Sequence, residues 1–315
     1  MDNKASHVSK NEVPGRTIGV SVMTMMVLFV AFWMNQQSTQ TSDQTGESKS
    51  IQEIAGFRAD AWNLPDDELL GFVRITGGPF IMGSNPAVDR LAYENERWSN
   101  LRRQGSVDLP DYYIGKFEVT VAQFKAFVAD SDLQVDAIAL DVAGNLPVSN
   151  ITWPQALAYA RWLEQQLRQS EQTPAELMQM FNDGAHITLP SEAEWEKAAR
   201  GTDGRIFPWG SQARTDRANF NGDAVAPVGT LACIECAYGL SDMSGNLWEL
   251  TRSPLQDYPY DPEDDAENLS DDALWVMRGG SYADVINNVR TAVRGGVDPG
   301  VRSNTIGFRL VISYL

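Results

Sequence analysis

Only two histidines and two cysteines occur among the 315 residues, and acidic side chains outnumber basic ones 42 to 25. Each shortage excludes something. A net charge of −17 argues against nucleic acid as a partner, because a phosphate backbone demands a basic face. His7 and His186 cannot make a three-histidine iron centre, and no nucleophile elbow accompanies His186 to build a hydrolase triad. His186 therefore reads as a structural residue ahead of Ile187-Thr188-Leu189. Cys233 and Cys236 are spaced C-x-x-C, which leaves three readings open. They form a small disulfide bracing their own loop, a redox pair, or half of a soft-metal site that needs two further ligands.

Long apolar runs are scarce too, with one exception. Residues 17–34 pass without a charge and at ~1.5 Å per residue would span roughly 27 Å, enough to cross a hydrocarbon core. The run is long for a signal-peptide core, no A-x-A-like cleavage site follows, and no cysteine follows for lipid attachment. The expectation is a single-pass anchor in the inner (cytoplasmic) membrane. Lys4, Lys10 and Arg16 precede it, which keeps the amino terminus in the cytoplasm and the bulk of the chain periplasmic. Residues 1–16 are then a cytoplasmic tail and 17–34 the transmembrane anchor. Residues 35–70 form a flexible tether and lead-in, with no apolar residue between 35 and 50, and 71–315 form one globular domain.

Within that domain, Phe72–Ile75 and residues 80–82, joined by Thr76-Gly77-Gly78-Pro79, read as a hairpin. Thr120 caps a predicted helix over 121–129, and Thr152 caps another with Pro154 in its first turn. Thr173-Pro174 opens a shorter one. Ser191-Glu192-Ala193-Glu194 is a capping box for a fourth helix, which Gly201 ends. After Gly201 come turn residues between short strands such as Trp275–Arg278 and 308–312. Helices early and loop-rich strands late make an α+β domain with much irregular structure.

The stretch 239–252, G-L-S-D-M-S-G-N-L-W-E-L-T-R, gathers Asp242, Ser244, Asn246 and Glu249 around Gly245. Oxygen donors at such a turn suit a hard cation, although the spacing is not that of an EF-hand. A turn capping its own backbone with these side chains is the commoner arrangement. Arg278, Arg290, Arg294, Arg302 and Arg309 stand out in an acidic chain. With Trp248 and Tyr282 they line a carboxylate or peptide pocket, or else they pair with buried carboxylates that tie the loops together. The run 257–272 reads as a solvated acidic loop.

These segments belong to an ordered series. It runs Gly78-Pro79-Phe80-Ile81-Met82-Gly83-Ser84, Phe117-Glu118-Val119-Thr120, Leu189-Pro190-Ser191-Glu192-Ala193-Glu194-Trp195-Glu196 and Phe207-Pro208-Trp209-Gly210. It continues through Ala218-Asn219-Phe220, Gly245-Asn246-Leu247-Trp248-Glu249, Arg278-Gly279-Gly280-Ser281-Tyr282 and Ile306-Gly307-Phe308-Arg309. In this order the chain resembles the sulfatase-modifying factor family, the formylglycine-generating enzyme domain. The resemblance implies a C-type-lectin-like fold stabilised by structural Ca²⁺. Asp242 and Glu249 would supply side-chain ligands, with the carbonyls of Gly245 and Leu247. A second site would use Asn219, the Phe220 carbonyl and Asp223, although those residues alone equally read as a hairpin turn.

The chain departs from the family at one place. Formylglycine formation uses copper held by two thiolates just after the R-G-G-S motif, and here that segment reads Tyr282-Ala283-Asp284-Val285-Ile286-Asn287-Asn288. Soft Cu(I) wants thiolate ligands, which this segment does not offer. Copper chemistry is not expected. The resemblance then implies a membrane-anchored accessory, maturation or binding protein acting on a partner protein or peptide outside the cytoplasm. An oxidoreductase-type protein-modifying enzyme is the alternative, with Trp248, Arg278, Ser281, Tyr282, Asp284, Arg290 and Arg294 as pocket candidates.

Overall fold

Hydroxyl caps start three of the helices. In the computed structural model, which describes residues 54–265 and 273–314, α1 (Val121–Asp130) opens on Thr120. The Thr120 hydroxyl accepts the Gln123 amide at 3.3 Å, while Gln123 Oε1 accepts the Thr120 amide at 2.7 Å. The same reciprocal bonding by Thr152 and Gln155 starts α2 (Trp153–Gln169), and by Ser191 and Glu194 starts α4 (Glu192–Arg200). α3 (Ala175–Asn182) follows Pro174 without a side-chain cap. Each box satisfies two backbone amides that a helix start leaves without partners.

The strands are short and only some of them pair with their neighbours in the chain. β1 (Phe57–Arg58) pairs with β2 (Leu64–Pro65), and β4 (Gly78–Met82) pairs with β5 (Gly105–Leu109). One four-stranded sheet takes β3 (Phe72–Ile75), β6 (Tyr112–Gly115), β12 (Val311–Ser313) and β7 (His186–Thr188) in that spatial order. The other runs β10 (Arg294–Val297), β9 (Trp275–Arg278), β8 (Trp248–Pro254) and β11 (Ile306–Gly307). The domain is mixed α and β.

The expected hairpin between 72–75 and 80–82 does not form. β3 pairs with β6 and β4 with β5, because the linker turns a corner between sheets instead of folding back. Asp111 Oδ1 accepts the Gly77 amide at 2.6 Å, and a Cβ on Gly77 would meet backbone atoms of residues 109–111 at 2.9 Å. Packed structure also begins before Gly71, since Leu64 and Leu70 lie in the core and Phe57 stacks on Phe117 at 5.8 Å. The last strand is displaced from the expected 308–312 to Val311–Ser313, with Phe308 buried beneath α1 and α2 instead. Among the described residues no helix is long and apolar enough to cross a membrane. The predicted span 17–34 lies outside them.

Two apolar clusters hold the elements together. The larger packs α1 and α2 on the sheets through Phe124, Phe127, Tyr159 and Phe308, whose rings lie 5.4–6.3 Å apart. The smaller sets Trp195 and Ala198 of α4 against Phe80, Met82 and Tyr112, with Leu240 and Met243 from the loop that leads into β8. That loop carries the candidate site.

Candidate functional site

Three irregular segments are stitched side by side around Gly245. The Gly245 amide donates to the Gly279 carbonyl, the Asn246 amide to Asn219 and the Tyr282 amide to Asn246, each at 2.8 Å. The Gly222 amide closes the circuit on the Tyr282 carbonyl at 2.7 Å. Gly245 has a φ of +77° and a Cβ there would lie 2.1 Å from the Asn219 carbonyl oxygen. Only glycine permits both the left-handed backbone and the close approach. Asn246, at φ +63°, turns its amide inward. It donates to Glu118 Oε2 at 2.6 Å and accepts from Asn219 and the Ala226 amide at 3.0 and 2.9 Å.

Beneath this turn lies a group of buried charges. Glu249 is gripped by Arg309 through two bonds of 2.5 Å and accepts the Trp195 indole N–H at 2.7 Å. Glu118 accepts the Leu247 amide at 3.0 Å. Asp242, at φ +60°, accepts the Gly229 amide at 2.9 Å. Three carboxylates therefore face one guanidinium. Burial pushes the Glu118 carboxyl well above the usual range, and the charges of Asp242 and Glu249 push the same way against Arg309 and Asn246. Asp242 is raised to about 6, first by burial, with Gly229 and Arg309 opposing and Glu249 adding to the rise.

The expected calcium donors fall into two groups. Asp242, with the carbonyls of Gly245 and Leu247, keeps the all-oxygen chemistry a hard cation prefers, next to excess buried negative charge. Glu249 is shared with Arg309 and Trp195, and Asp223 is exposed. Asn219 spends its amide N–H₂ on Asn246 and on the Ala224 carbonyl at 3.1 Å. Among the described residues no three His, Cys, Asp or Glu side chains form a metal-binding group, so a cation here would rest largely on backbone carbonyls.

The arginines divide differently from a pocket lining. Arg278 meets Glu192 at 3.1 Å and Glu196 at 2.5 Å; Arg290 meets Asp89 and Glu96, each at 2.6 Å; Arg294 meets Glu192 at 2.5 Å. All three are buried and spent on carboxylates, while Arg302 is exposed. These partners, and Glu118, were not singled out from sequence. The signal for Glu118 was its place between Phe117 and Val119, two residues ahead of a capping threonine. His186 pairs its Nδ1 with Glu164 at 3.1 Å. The acidic run is only partly solvated, because Asp265 folds inward to accept the Ser253 and Tyr260 hydroxyls and burial raises it to about 6.

The segment after Arg278-Gly279-Gly280 is fastened by Asp284. Its Oδ2 accepts the Ser281 backbone amide at 3.0 Å, the Ser281 hydroxyl at 2.6 Å and the Trp248 indole N–H at 2.8 Å, and its Oδ1 accepts the Asn288 side-chain amide at 2.7 Å. A carboxylate with four donors is a fixed anchor, held in place rather than poised to react. Around it Trp248 is half-buried, the Tyr282 hydroxyl accepts from Asn304 at 3.1 Å, and the Tyr93 hydroxyl donates to Asn288 at 2.9 Å. The sequence candidates Trp248, Ser281, Tyr282 and Asp284 do converge. Cys233 and Cys236 stand apart, joined to each other.

The described fold coincides with a known family. Residues 57–314 match the Sulfatase-modifying factor enzyme 1-like domain. Hercynine oxygenase of Mycolicibacterium smegmatis is 29% identical over 288 residues, 76% of this chain and 60% of that protein. The chain thus spans less than two thirds of the hercynine oxygenases it matches. The inactive C-alpha-formylglycine-generating enzyme 2 of Mus musculus is 27% identical over 284 residues, 76% of this chain and 85% of that protein. PvdO from Pseudomonas aeruginosa superposes with a TM-score of 0.61 at 20% identity, over 77% of this chain and 94% of that one, a likeness of fold. The chain belongs to the sulfatase-modifying factor enzyme 1-like family.

Proposed function

From that membership we propose that this chain is an accessory or maturation protein, which uses a formylglycine-generating-enzyme-like scaffold to bind a partner protein or peptide without copper oxidation. The observation that carries this reading is Asp284, whose carboxylate is saturated by Ser281, Trp248 and Asn288 in the segment after Ser281. The segment is a rigid, hard-oxygen surface. Half-buried Trp248 and exposed Asn304, which donates to the hydroxyl of the buried Tyr282, offer one indole and an amide beside it, a mixture that suits an extended peptide. That an inactive formylglycine-generating enzyme is among the relatives is consistent with a family in which scaffold and oxidation are separable.

The finer parts of the reading go with it. The anchor at 17–34 would hold the domain on the outer face of the inner membrane. The C-type-lectin-like class accounts for the loop-rich architecture. A structural Ca²⁺ would sit on Asp242 and the carbonyls of Gly245 and Leu247, with Glu249 shared between it and Arg309, and would neutralise the buried carboxylates.

The test is to incubate the purified chain with a cysteine-containing peptide, Cu(I) and O₂ and to look for a formylglycine product by mass. No product, with calcium but no tight copper in the purified protein, is expected. A copper-dependent formylglycine product would establish the protein-modifying oxidoreductase instead.

A further inference from the structure

The disulfide between Cys233 and Cys236 closes a ring of only four residues, which removes little freedom from the unfolded chain. Its surroundings are more specific than bracing requires. Arg217 straddles the loop, donating from Nη1 to the carbonyl of Ala232 at 3.4 Å and from Nη2 to Glu235. It thus touches the residue before each cysteine. Arg205 donates to the Glu235 carbonyl at 2.6 Å. The Nε–H of Arg217 is buried with no hydrogen-bond acceptor, Asp216 lying 3.9 Å away. The carboxylates that pair with Arg205, Arg214 and Arg217 lie toward solvent, their side chains being 59%, 62% and 41% exposed. Arg217 is only 25% exposed.

The two cysteines are also unequally exposed. Cys233 is 6% exposed, whereas Cys236 is half-buried. Between them Ile234 holds a large apolar side chain 92% exposed to solvent. A more exposed cysteine, a sheltered one and a cation with an unused donor are what thiol–disulfide exchange calls for.

We propose that Cys233–Cys236 is an exchangeable disulfide that oxidises a dithiol in a partner polypeptide, with Ile234 as an apolar contact for that chain. A partner thiolate attacks Cys236 Sγ. A partner–Cys236 bond forms, the Cys233–Cys236 bond breaks, and its electron pair leaves on Cys233 as a thiolate favoured by Arg217. The partner's second thiolate then attacks the partner sulfur of the mixed disulfide and releases Cys236. The partner loses two electrons and two protons and gains a disulfide. The pair on this chain is reduced by two electrons, and a disulfide compound or protein reoxidises it.

The test uses the whole chain. Equilibrated with mixtures of reduced and oxidised glutathione and read by alkylation and mass, the pair is expected to pass from disulfide to dithiol with the fold intact. Arg217→Gln lowers the equilibrium constant for reduction about five-fold, and Arg217→Lys restores part of it. A synthetic peptide with two reduced cysteines is expected to leave as its disulfide, one per protein. Rapid acid quenching and peptide mapping place the mixed disulfide on Cys236, and Cys233→Ser is modified by oxidised glutathione at least about ten-fold faster than Cys236→Ser. A disulfide that glutathione does not reduce in the folded protein overturns the proposal. So does an equilibrium that Arg217→Gln leaves unmoved, or a mixed disulfide found on Cys233.

Discussion

Replacing Asp242 by asparagine tests the buried charge cluster directly. The carboxyl titrates near 6 in the folded chain against an ordinary 3.8, so the native state holds its proton more tightly than the unfolded chain. The stability this lends is fully present below about pH 4 and is lost as pH rises through about 6. For a wholly buried group that interval corresponds to about 3 kcal/mol. Asp242 keeps some contact with solvent, and about 2 kcal/mol is expected. Asparagine is nearly isosteric, can still accept the Gly229 amide, and also relieves Glu118 of a neighbouring charge. In EDTA at pH 7, Asp242→Asn should therefore raise the melting temperature by about 4–8 °C, and by almost nothing at pH 4. With calcium the order should reverse, because the wild type gains the cation's binding energy and the variant loses a ligand. Melts at four pH values, with and without calcium, read all of this. A variant less stable than wild type at pH 7 in EDTA would show that attraction to Arg309 outweighs burial, and the reasoning would fail.

Three further perturbations follow from the packing. Arg290→Met leaves Asp89 and Glu96 buried without their cation and should cost about 3–5 kcal/mol in urea denaturation, much of it recovered when Asp89→Asn and Glu96→Gln are added. Asp284→Ala removes the acceptor for four donors and should cost about 2 kcal/mol, with faster amide exchange confined to residues 281–288 and altered Trp248 fluorescence. Gly245→Ala must move the Asn219 carbonyl, which a Cβ would approach to 2.1 Å at φ +77°. A loss of about 3 kcal/mol or more is expected in thermal melts, with the 219–222 segment released.

Helix starts were legible because a cap is local: Thr120, Thr152 and Ser191 each lie three residues from the side chain that completes the box. The convergence of Trp248, Ser281, Tyr282 and Asp284 was legible from motif order. Strand partners were not, since the Thr76–Pro79 linker carries every hairpin signal, and only the distant Asp111 decides that it turns a corner. The carboxylates opposite the arginines were hidden for the same reason. Arg290 and Glu96 are 194 positions apart, and a surplus of acidic residues gives no means of telling a buried one from a solvated one. Glu118 was legible only as part of the 117–120 motif, and its contacts with 242–249 were not.

The position of β12 has a consequence for how the chain reaches this structure. Residues 311–313 form an interior strand, bonded to β6 on one side and β7 on the other. Two segments more than seventy positions apart in the chain, β6 and β7, share a sheet only through this strand. Without it the facing edges of β6 and β7 would carry unpaired backbone groups. The sheet therefore rests on pairing between segments far apart in the chain, the kind of contact that slows folding.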